Sequence, residues 1–173
     1  MNTDQHTVAL VQSFGGAAHA LALLEAGTTK RRLSAAVAGG RLIRPGRGVY
    51  MIPGAAADVV QARIQRALLT CSSAAEHYGL WLLRRPTRLH LTSRRGRLPA
   101  EFAAHRRPVS AGSARLPYPA LDYVLLHSLR CLPFMDALVL VECAVGRGDA
   151  AWRPLAHACR ETGTPGRAGS WLR

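Results

Sequence analysis

We predict an α+β protein, mostly helical, from three features of the sequence. Apolar residues recur at helical spacing through much of the chain, two regions have strand character around basic turns, and Gly-Gly or Pro-Gly pairs separate the segments. The length of 173 residues suits one domain, or a small domain joined to a somewhat larger one, and 49% hydrophobic residues are enough to form a core. We place an N-terminal domain at residues 1–54, a mixed second domain at 55–148 and a tail at 149–173.

Three short helices are predicted in the first forty residues. Residues 4–14 carry an apolar stripe that ends at a Gly-Gly pair, and residues 17–26 form a second helix. Either threonine at 28–29 can cap a third helix, KRRLSAAVA, in which Leu33 and Val37 would be buried. A second Gly-Gly pair ends this helix.

A basic hairpin is predicted directly after the third helix. Residues 42–43 and 49–52 have strand character, and Pro-Gly-Arg-Gly at 45–48 is typical of a turn. Three short helices followed by a hairpin is the element order of a winged helix-turn-helix. This is the fold that we predict for the N-terminal domain.

The second domain is predicted to be helical, with a small β-hairpin. Its expected elements are helices at 57–70 and 73–79, strands at 86–92 and 102–109 around the basic turn SRRGR, and helices at 118–131 and 133–147. The apolar face expected on the last helix consists of Phe134, Leu138, Val141 and Val145.

The net charge of +13 favours a polyanionic partner, for which nucleic acid is the usual candidate; ribosomal or acidic lipid surfaces would attract the same sign. Residues 1–54 carry +4, residues 55–117 carry +8 and residues 118–173 carry +1. No run reaches the roughly 18 apolar residues of a membrane span. The N-terminus lacks the basic run of a secretory signal, so we expect a cytoplasmic protein that does not bind membranes.

The third helix and the hairpin supply the first set of candidate DNA contacts. In a helix-turn-helix, the N-terminal residues of the recognition helix reach base edges in the major groove, where Arg and Lys bond guanine. Wing arginines would lie over phosphates or in the minor groove. The candidates are Thr28, Thr29, Lys30, Arg31, Arg32, Ser34, Arg41, Arg44 and Arg47. A helical hairpin with a solvated basic face is the alternative interpretation of this pattern.

A second basic cluster surrounds the predicted hairpin of the second domain. Arginines at such a turn could straddle a phosphate backbone and lengthen the DNA footprint. A solvated face, or a surface for an acidic protein partner, is the alternative. The cluster consists of Arg84, Arg85, Arg88, Arg94, Arg95, Arg97, Arg106 and Arg107.

No cofactor, metal site or catalytic centre is predicted. The cysteines form no C-x-x-C and no Cys/His spacing suited to zinc, and we expect buried free thiols. Scattered carboxylates and a single lysine argue against nuclease chemistry. The only acid–base candidates are His77 with Glu76, and His90, while His105 fits the basic surface; a structural role is expected for each. The four cysteines are Cys71, Cys131, Cys143 and Cys159.

The run GGAAHALALLEAGTTKRRLSAAVAGGRLIRPGRGVYMIP resembles the N-terminal winged-helix domain of AbiEi-type antitoxins, which belong to type IV toxin–antitoxin pairs. The shared features are the Gly-Gly turn, a helix ending in AG, a T/S-x-R-x-L third helix, a G-R-L-I/V-R step and a terminal R-G-V-Y. Further on, His77-Tyr78-Gly79-Leu80 and His90-Leu91-Thr92 match the H-x-G-L and H-L-T segments of actinobacterial relatives. The resemblance covers roughly residues 5–148 and does not extend to the C-terminal endonuclease-like domain of many such relatives.

This resemblance implies a protein that binds DNA and represses its own promoter. We therefore expect a sequence-specific repressor that binds double-stranded DNA, as in phage immunity or antitoxin autorepression, and not an enzyme. The alternative is an antitoxin whose main role is to neutralise a nucleotidyltransferase toxin by protein contact. Both a monomer and a homodimer stay open, because two DNA-contacting domains would let one chain read an asymmetric site.

Overall fold

The computed structural model describes residues 3–93, 97–105, 115–151, 153 and 155–157. These residues form an α+β protein, about half helical, with two small three-stranded sheets. The chain divides into two compact units, the first comprising Met1–Leu68 with Ser113–Pro117 and the second comprising Leu69–Gly112 with Tyr118–Arg173. Across the described ranges, no helix is both long enough and apolar enough to cross a membrane.

The first unit combines helices with an antiparallel sheet in which β3 lies between β1 and β2. Buried side chains of α1, α2 and α3, such as Val11, Leu23 and Leu33, form its core together with Leu42 and Tyr50. The elements are α1 (Thr3–Ser13), β1 (Ala17–His19), α2 (Ala20–Glu25), α3 (Lys30–Ala38), β2 (Ile43–Gly46), β3 (Val49–Met51) and α4 (Ala57–Ile64).

The predicted helix over 17–26 is wrong in its first turn, which forms strand β1 before α2 begins. β1 pairs with β3, and the register places Ala18 opposite Tyr50. Gly15 and Gly16 have φ angles of +81° and +90°, which turn the chain out of α1. Sheet pairing therefore overrides the high helix propensity of alanine at this point.

The third helix and the hairpin that follows it are confirmed as elements. The Oγ1 atom of Thr29 accepts a hydrogen bond from the backbone N–H of Arg32 at 3.3 Å, so Thr29 caps the N-terminus of α3. Beyond its C-terminus, Gly40 has φ +69°. The β2–β3 turn is the two-residue Arg47-Gly48, shorter than predicted, and Gly48 has a φ of +73°, a left-handed conformation that glycine adopts without strain.

Helix α4 is shorter than the predicted helix over 57–70. Arg66 has a φ of +51°, in the left-handed region, and strand β4 (Leu68–Leu69) follows. α4 belongs to the first unit, because the guanidinium of Arg63 donates hydrogen bonds to the carbonyls of Phe14 and Ala17 at 3.0 and 2.9 Å.

The second unit places a three-stranded sheet beside helices, with the strand order β4-β5-β6. Its two long helices pack against each other, and their buried residues include Leu125, Leu129 and Leu140. The elements after β4 are α5 (Cys71–Ala75), a 3₁₀ turn (Glu76–Tyr78), β5 (His90–Thr92), β6 (Ala103–His105), α6 (Leu121–Cys131) and α7 (Phe134–Gly146).

The predicted β-hairpin of the second domain is wrong, because β5 and β6 are parallel. His90 lies opposite Ala103 and Thr92 opposite His105, so β6 begins at the same end of the sheet as β5. Alternation of apolar and polar residues indicates a strand but does not encode its direction. The remaining residues of the predicted hairpin, 94–96 and 106–109, lie outside the described residues.

The two closing helices are confirmed. On the predicted apolar face of α7, Val141 is buried and Leu138 and Val145 are half-buried, but the prediction is wrong for Phe134. Phe134 is 39% exposed, whereas Ala137, Leu140 and Ala144 are fully buried. Alanines on the packed face let the backbones of α6 and α7 approach, and the larger phenylalanine at the start of the helix is left at the surface.

Candidate functional site

The exposed face of α3 carries two basic residues at its start and only short side chains after them. Lys30 and Arg31 are exposed, and so are Ser34, Ala35 and Ala38 further along the helix. A helix with side chains is about 10–12 Å across, close to the width of the DNA major groove of about 12 Å. Short side chains on this face would allow the helix to lie deep in such a groove.

The predicted contacts at the start of α3 divide into exposed and internal residues. Thr28 is only 5% exposed, so its expected place on the contact surface is wrong: it packs inside the first unit. Thr29 is exposed, but its Oγ1 atom is used as the helix cap. Arg32 is half-buried beside the core, while Ser34 is exposed.

The hairpin presents two exposed arginines. The guanidinium of Arg44 lies over the ring of Tyr50, with Cζ 5.4 Å from the ring centroid, a cation–π contact that restrains its position. Arg47 is exposed in the turn itself, and Arg41 is half-buried near the end of α3. The exposed charges of the hairpin are thus placed at and next to its tip.

The charge of the first unit is concentrated on α3 and the hairpin. Residues 26–57 contain six basic residues and no acidic residue. The acidic residues of this unit, Asp4, Glu25 and Asp58, all lie outside that segment. A local excess of one sign produces a field that attracts phosphates. We call the exposed side of α3 and the hairpin, with Lys30, Arg31, Ser34, Arg44 and Arg47, the α3–hairpin surface.

Arg63 is a basic residue of the first unit that does not belong to this surface. Its guanidinium donates to the carbonyls of Phe14, Ala17 and Arg115. Burial lowers the pKa of Arg63 to about 10. The hydrogen bonds tie α4 to β1 and the end of α1, so this arginine is structural.

The described members of the second basic cluster are partly engaged within the second unit. Arg84 and Arg85 form ion pairs with Asp136 and Glu76 at 3.6 and 3.3 Å. Arg88 donates to the backbone carbonyls of residues 100–102, just before β6. Arg97 is exposed. The other predicted members, Arg94, Arg95, Arg106 and Arg107, lie outside the described residues.

The acid–base candidates His77 and Glu76 have contacts that fit structural roles. Glu76 is the ion-pair partner of Arg85. The ring of His77 stacks on Tyr118, with 5.2 Å between the ring centroids. Neighbouring Tyr78 donates its hydroxyl to the carbonyl of Pro119, which adds to the same packing.

The structure brings together four side chains that the sequence analysis leaves unconnected: Cys71, His90, His105 and Cys131. One Nδ1, Nε2 or Sγ atom from each lies within 4.8 Å of the others. The Nδ1 atom of His90 is 3.1 Å from Nε2 of His105 and 3.6 Å from Sγ of Cys131. We call these residues the Cys/His cluster.

The two thiols of the Cys/His cluster have opposite environments. Cys71 is fully buried, and burial raises the pKa of its thiol. Cys131 is exposed at the end of α6, so the expectation that it is buried is wrong. Hydrogen bonds with Cys71 first, and then with His105 and His90, hold the pKa of Cys131 well below its ordinary value. Of the other cysteines, Cys143 is half-buried and Cys159 lies outside the described residues.

A search for compact metal motifs misses the Cys/His cluster because each residue comes from a different element. Two of the residues belong to β5 and β6, and only the parallel pairing of these strands brings His90 near His105. The one signal in the sequence is that all four residues fall within the predicted second domain, 55–148, which is a weak constraint.

The chain was compared with known families and proteins: no protein-family model matches it, and a search of curated proteins gives no significant match.

Proposed function

We propose that the protein is a sequence-specific DNA-binding regulator, a repressor, whose first unit acts as a winged helix-turn-helix. The observation that carries the proposal is the α3–hairpin surface. A capped helix with Lys30 and Arg31 at its exposed start is followed directly by a hairpin with Arg47 in its turn and Arg44 in strand β2. These are the positions of a recognition helix and a wing.

In this proposal α3 enters the major groove by its N-terminus. Lys30 and Arg31 bond guanine O6 and N7, and Ser34 contacts a phosphate or a base edge. Leu33 and Ala36 face the core on the other side of the helix and fix its orientation. The specificity of the protein then depends on α3.

The hairpin acts as the wing beside the recognition helix. Arg47, in the turn, and Arg44, held over Tyr50, contact phosphates or enter the minor groove. Contacts of this kind add affinity for any sequence, and their strength depends on salt. Repression then follows because a protein bound at a promoter excludes the polymerase. Autorepression within an AbiEi-type family is part of the same proposal and depends on the resemblance of the sequence.

Selection of bound sites from random double-stranded DNA tests the function, because it reports both the sequence and the symmetry of the operator. For the selected site, we expect the double variant Lys30→Ala/Arg31→Ala to lose discrimination against random DNA. Each lost bidentate contact removes about 1–3 kcal/mol of discrimination, roughly a 5-fold to 150-fold change in relative affinity. Gel-shift titration of both DNAs measures it.

Arg153→Ala is the matched control, because it removes an exposed charge from the second unit. It should leave discrimination unchanged. Selection that enriches no sequence would contradict specific binding. An enriched sequence with unchanged discrimination in the double variant would contradict only the role of α3.

A second candidate function, neutralisation of a partner toxin, is favoured by exposed apolar residues of the second unit. Trp81 is 78% exposed and Leu83 is 51% exposed, directly before the charged Arg84 and Arg85. An exposed tryptophan beside arginines is typical of protein contact sites. If a nucleotidyltransferase gene lies next to the coding sequence, its product should be toxic to cells when expressed alone and harmless when co-expressed with this protein. Trp81→Ala should abolish the protection, and Arg153→Ala should not.

A further inference from the structure

We propose that the Cys/His cluster binds one Zn²⁺ ion in a closed tetrahedral site that holds the second unit together. The ligands are Sγ of Cys71 and Cys131, Nδ1 of His90 and Nε2 of His105. Cys71 begins α5, His90 begins β5, His105 ends β6 and Cys131 ends α6. A single ion would therefore connect two helix ends and two strands.

The distances within the cluster match the edges of a zinc tetrahedron. With Zn–N bonds of about 2.0–2.1 Å and Zn–S bonds of about 2.3 Å, nitrogen–nitrogen edges are about 3.3 Å and nitrogen–sulfur edges about 3.6 Å. The corresponding distances are 3.1 Å between the two imidazole nitrogens and 3.6 Å between Cys131 Sγ and His90 Nδ1. The limit of 4.8 Å on every pair leaves room for one central ion and not for a cluster of several.

The donor types select the metal. Thiolate and imidazole are the ligands that Zn²⁺ prefers, whereas Mg²⁺ and Ca²⁺ require oxygen ligands. Two thiolates and two neutral imidazoles around Zn²⁺ also give a complex with no net charge. This matters because Cys71 is fully buried, and an unpaired thiolate there would be costly.

The backbone around the cluster holds its ligands in place. Thr70 donates its N–H to the carbonyl of His90, and His90 donates its N–H to Oγ of Ser73, both at 2.9 Å. These bonds fix the start of β5 against the start of α5. Cys71 itself has φ +52°, a left-handed conformation that is unfavourable for a side chain with a Cβ. Such strain persists where the surroundings require a particular orientation, as at ligand sites.

His127 positions one ligand without being a ligand itself. Its buried ring stacks on His105, with 4.7 Å between the centroids, and its Nδ1 atom is 2.7 Å from Oγ1 of Thr70. His127 lies one helical turn before Cys131 on α6, on the same face. Outer residues that orient metal-bound imidazoles are a regular part of such sites.

Four protein ligands leave no coordination position for a substrate, so the proposed ion is structural. The free energy of metal binding then contributes to the folding of the second unit. A disulfide between Cys71 and Cys131 is the competing arrangement of the same two sulfurs. The experiment must distinguish it from zinc.

The test uses the full chain, purified without a metal-binding tag from cells grown with added zinc. We expect about one zinc per chain by elemental analysis, as for a structural site. Replacement of zinc by Co²⁺ should give the visible absorption of a tetrahedral ion and the charge-transfer bands of cobalt–thiolate bonds. A chelator should lower the melting temperature of the protein.

Cys131→Ala is the most informative variant, because Cys131 is exposed and its loss leaves no cavity in the core. It should reduce the zinc content several-fold and remove the cobalt–thiolate bands or halve their intensity. Cys143→Ala, in a half-buried cysteine of α7, is the control and should retain the zinc of the wild type. A wild-type protein without zinc, whether its two thiols are free or joined in a disulfide, would overturn the proposal. Full zinc content in Cys131→Ala would overturn the assignment of Cys131 as a ligand.

Discussion

Two half-buried polar residues, Arg63 and His19, lie beside strand β1 of the first unit. The guanidinium of Arg63 donates to the backbone carbonyls of Phe14, after α1, of Ala17, at the start of β1, and of Arg115. His19, the last residue of β1, lies close enough to Arg63 and Arg66 for their charges to act on it. A charge on His19 is therefore unfavourable.

The stability of the first unit should depend on the protonation of His19. Burial first, and then the charges of Arg66 and Arg63, lower the pKa of His19 below its usual 6.5. The unfolded chain therefore binds more protons than the native state as the pH falls through 6.5, and the free energy of unfolding decreases in that direction. We expect His19→Gln to lose less stability than the wild type between about pH 7.5 and about pH 5.5.

Urea denaturation at the two pH values measures this difference, because the other histidines contribute equally to both proteins. His6→Gln replaces an exposed histidine of α1 and should behave as the wild type does. Equal pH dependence in His19→Gln and the wild type would show that His19 is not a source of acid sensitivity.

At the scale of elements, the parallel β5–β6 pair depends on one arginine. Arg88 precedes β5 and donates to the backbone carbonyls of residues 100–102, which precede β6. A backbone bond from the N–H of Ala103 to the carbonyl of Leu89, at 2.9 Å, continues the same contact. Parallel strands cannot be joined by a tight turn, so the chain must be returned and held at the starting end of the sheet.

Arg88→Lys should therefore reduce stability and not DNA affinity. A lysine ammonium cannot contact several carbonyls through a planar fork, so the loss of hydrogen bonding should lower the free energy of unfolding by about 1 kcal/mol. Urea denaturation measures this change. Arg97→Lys, at an exposed arginine of the same connection, is the control and should be neutral. Weaker DNA binding with unchanged stability in Arg88→Lys would instead place Arg88 on a DNA-contacting surface.

For the whole molecule, the positive charge is divided between two units that differ in how far their arginines are engaged in internal contacts. The first unit carries +6 of the net charge of +13, and four of its basic residues are exposed on the α3–hairpin surface. In the second unit Arg84, Arg85 and Arg88 are engaged with carboxylates or carbonyls. The Arg85–Glu76 pair is exposed on both sides and therefore weak, so Arg85 could exchange its carboxylate for a phosphate at little cost, whereas Asp136, the partner of Arg84, is buried.

The salt dependence of DNA binding should show which units touch phosphate. Each phosphate contact contributes about −0.9 to the slope of the logarithm of the binding constant against the logarithm of salt concentration. If Lys30, Arg31, Arg44 and Arg47 are the only contacts, this slope should therefore be no steeper than about −4. A slope steeper by two or more would require further basic residues, for which Arg84 and Arg85 are exposed candidates in the second unit. If Arg84 and Arg85 contact phosphate, the variant Arg84→Ala/Arg85→Ala should make the slope shallower. If all contacts lie in the first unit, this variant should have the slope of the wild type.

The elements with strong local signals were predictable from the sequence. α3 has a capping threonine before it and a Gly-Gly pair after it, and α6 and α7 have long apolar periodicity, so local chemistry determines them. The composition of the α3–hairpin surface follows from the same segment. Short strands are different, because β1 and β4 gain stability only from their partners.

The sequence by itself determined helix α3 and the hairpin after it, the local excess of positive charge, and the strand character of the segments around His90 and His105. Only the tertiary structure decided that Ala17–His19 is a strand, that β5 and β6 are parallel, and that Thr28 is internal. It also brought Cys71 and Cys131 to the two histidines. The physical reason is the range of the interactions: caps, turns and charge density act over a few residues, whereas strand pairing and metal-ligand geometry join residues that are distant in the chain.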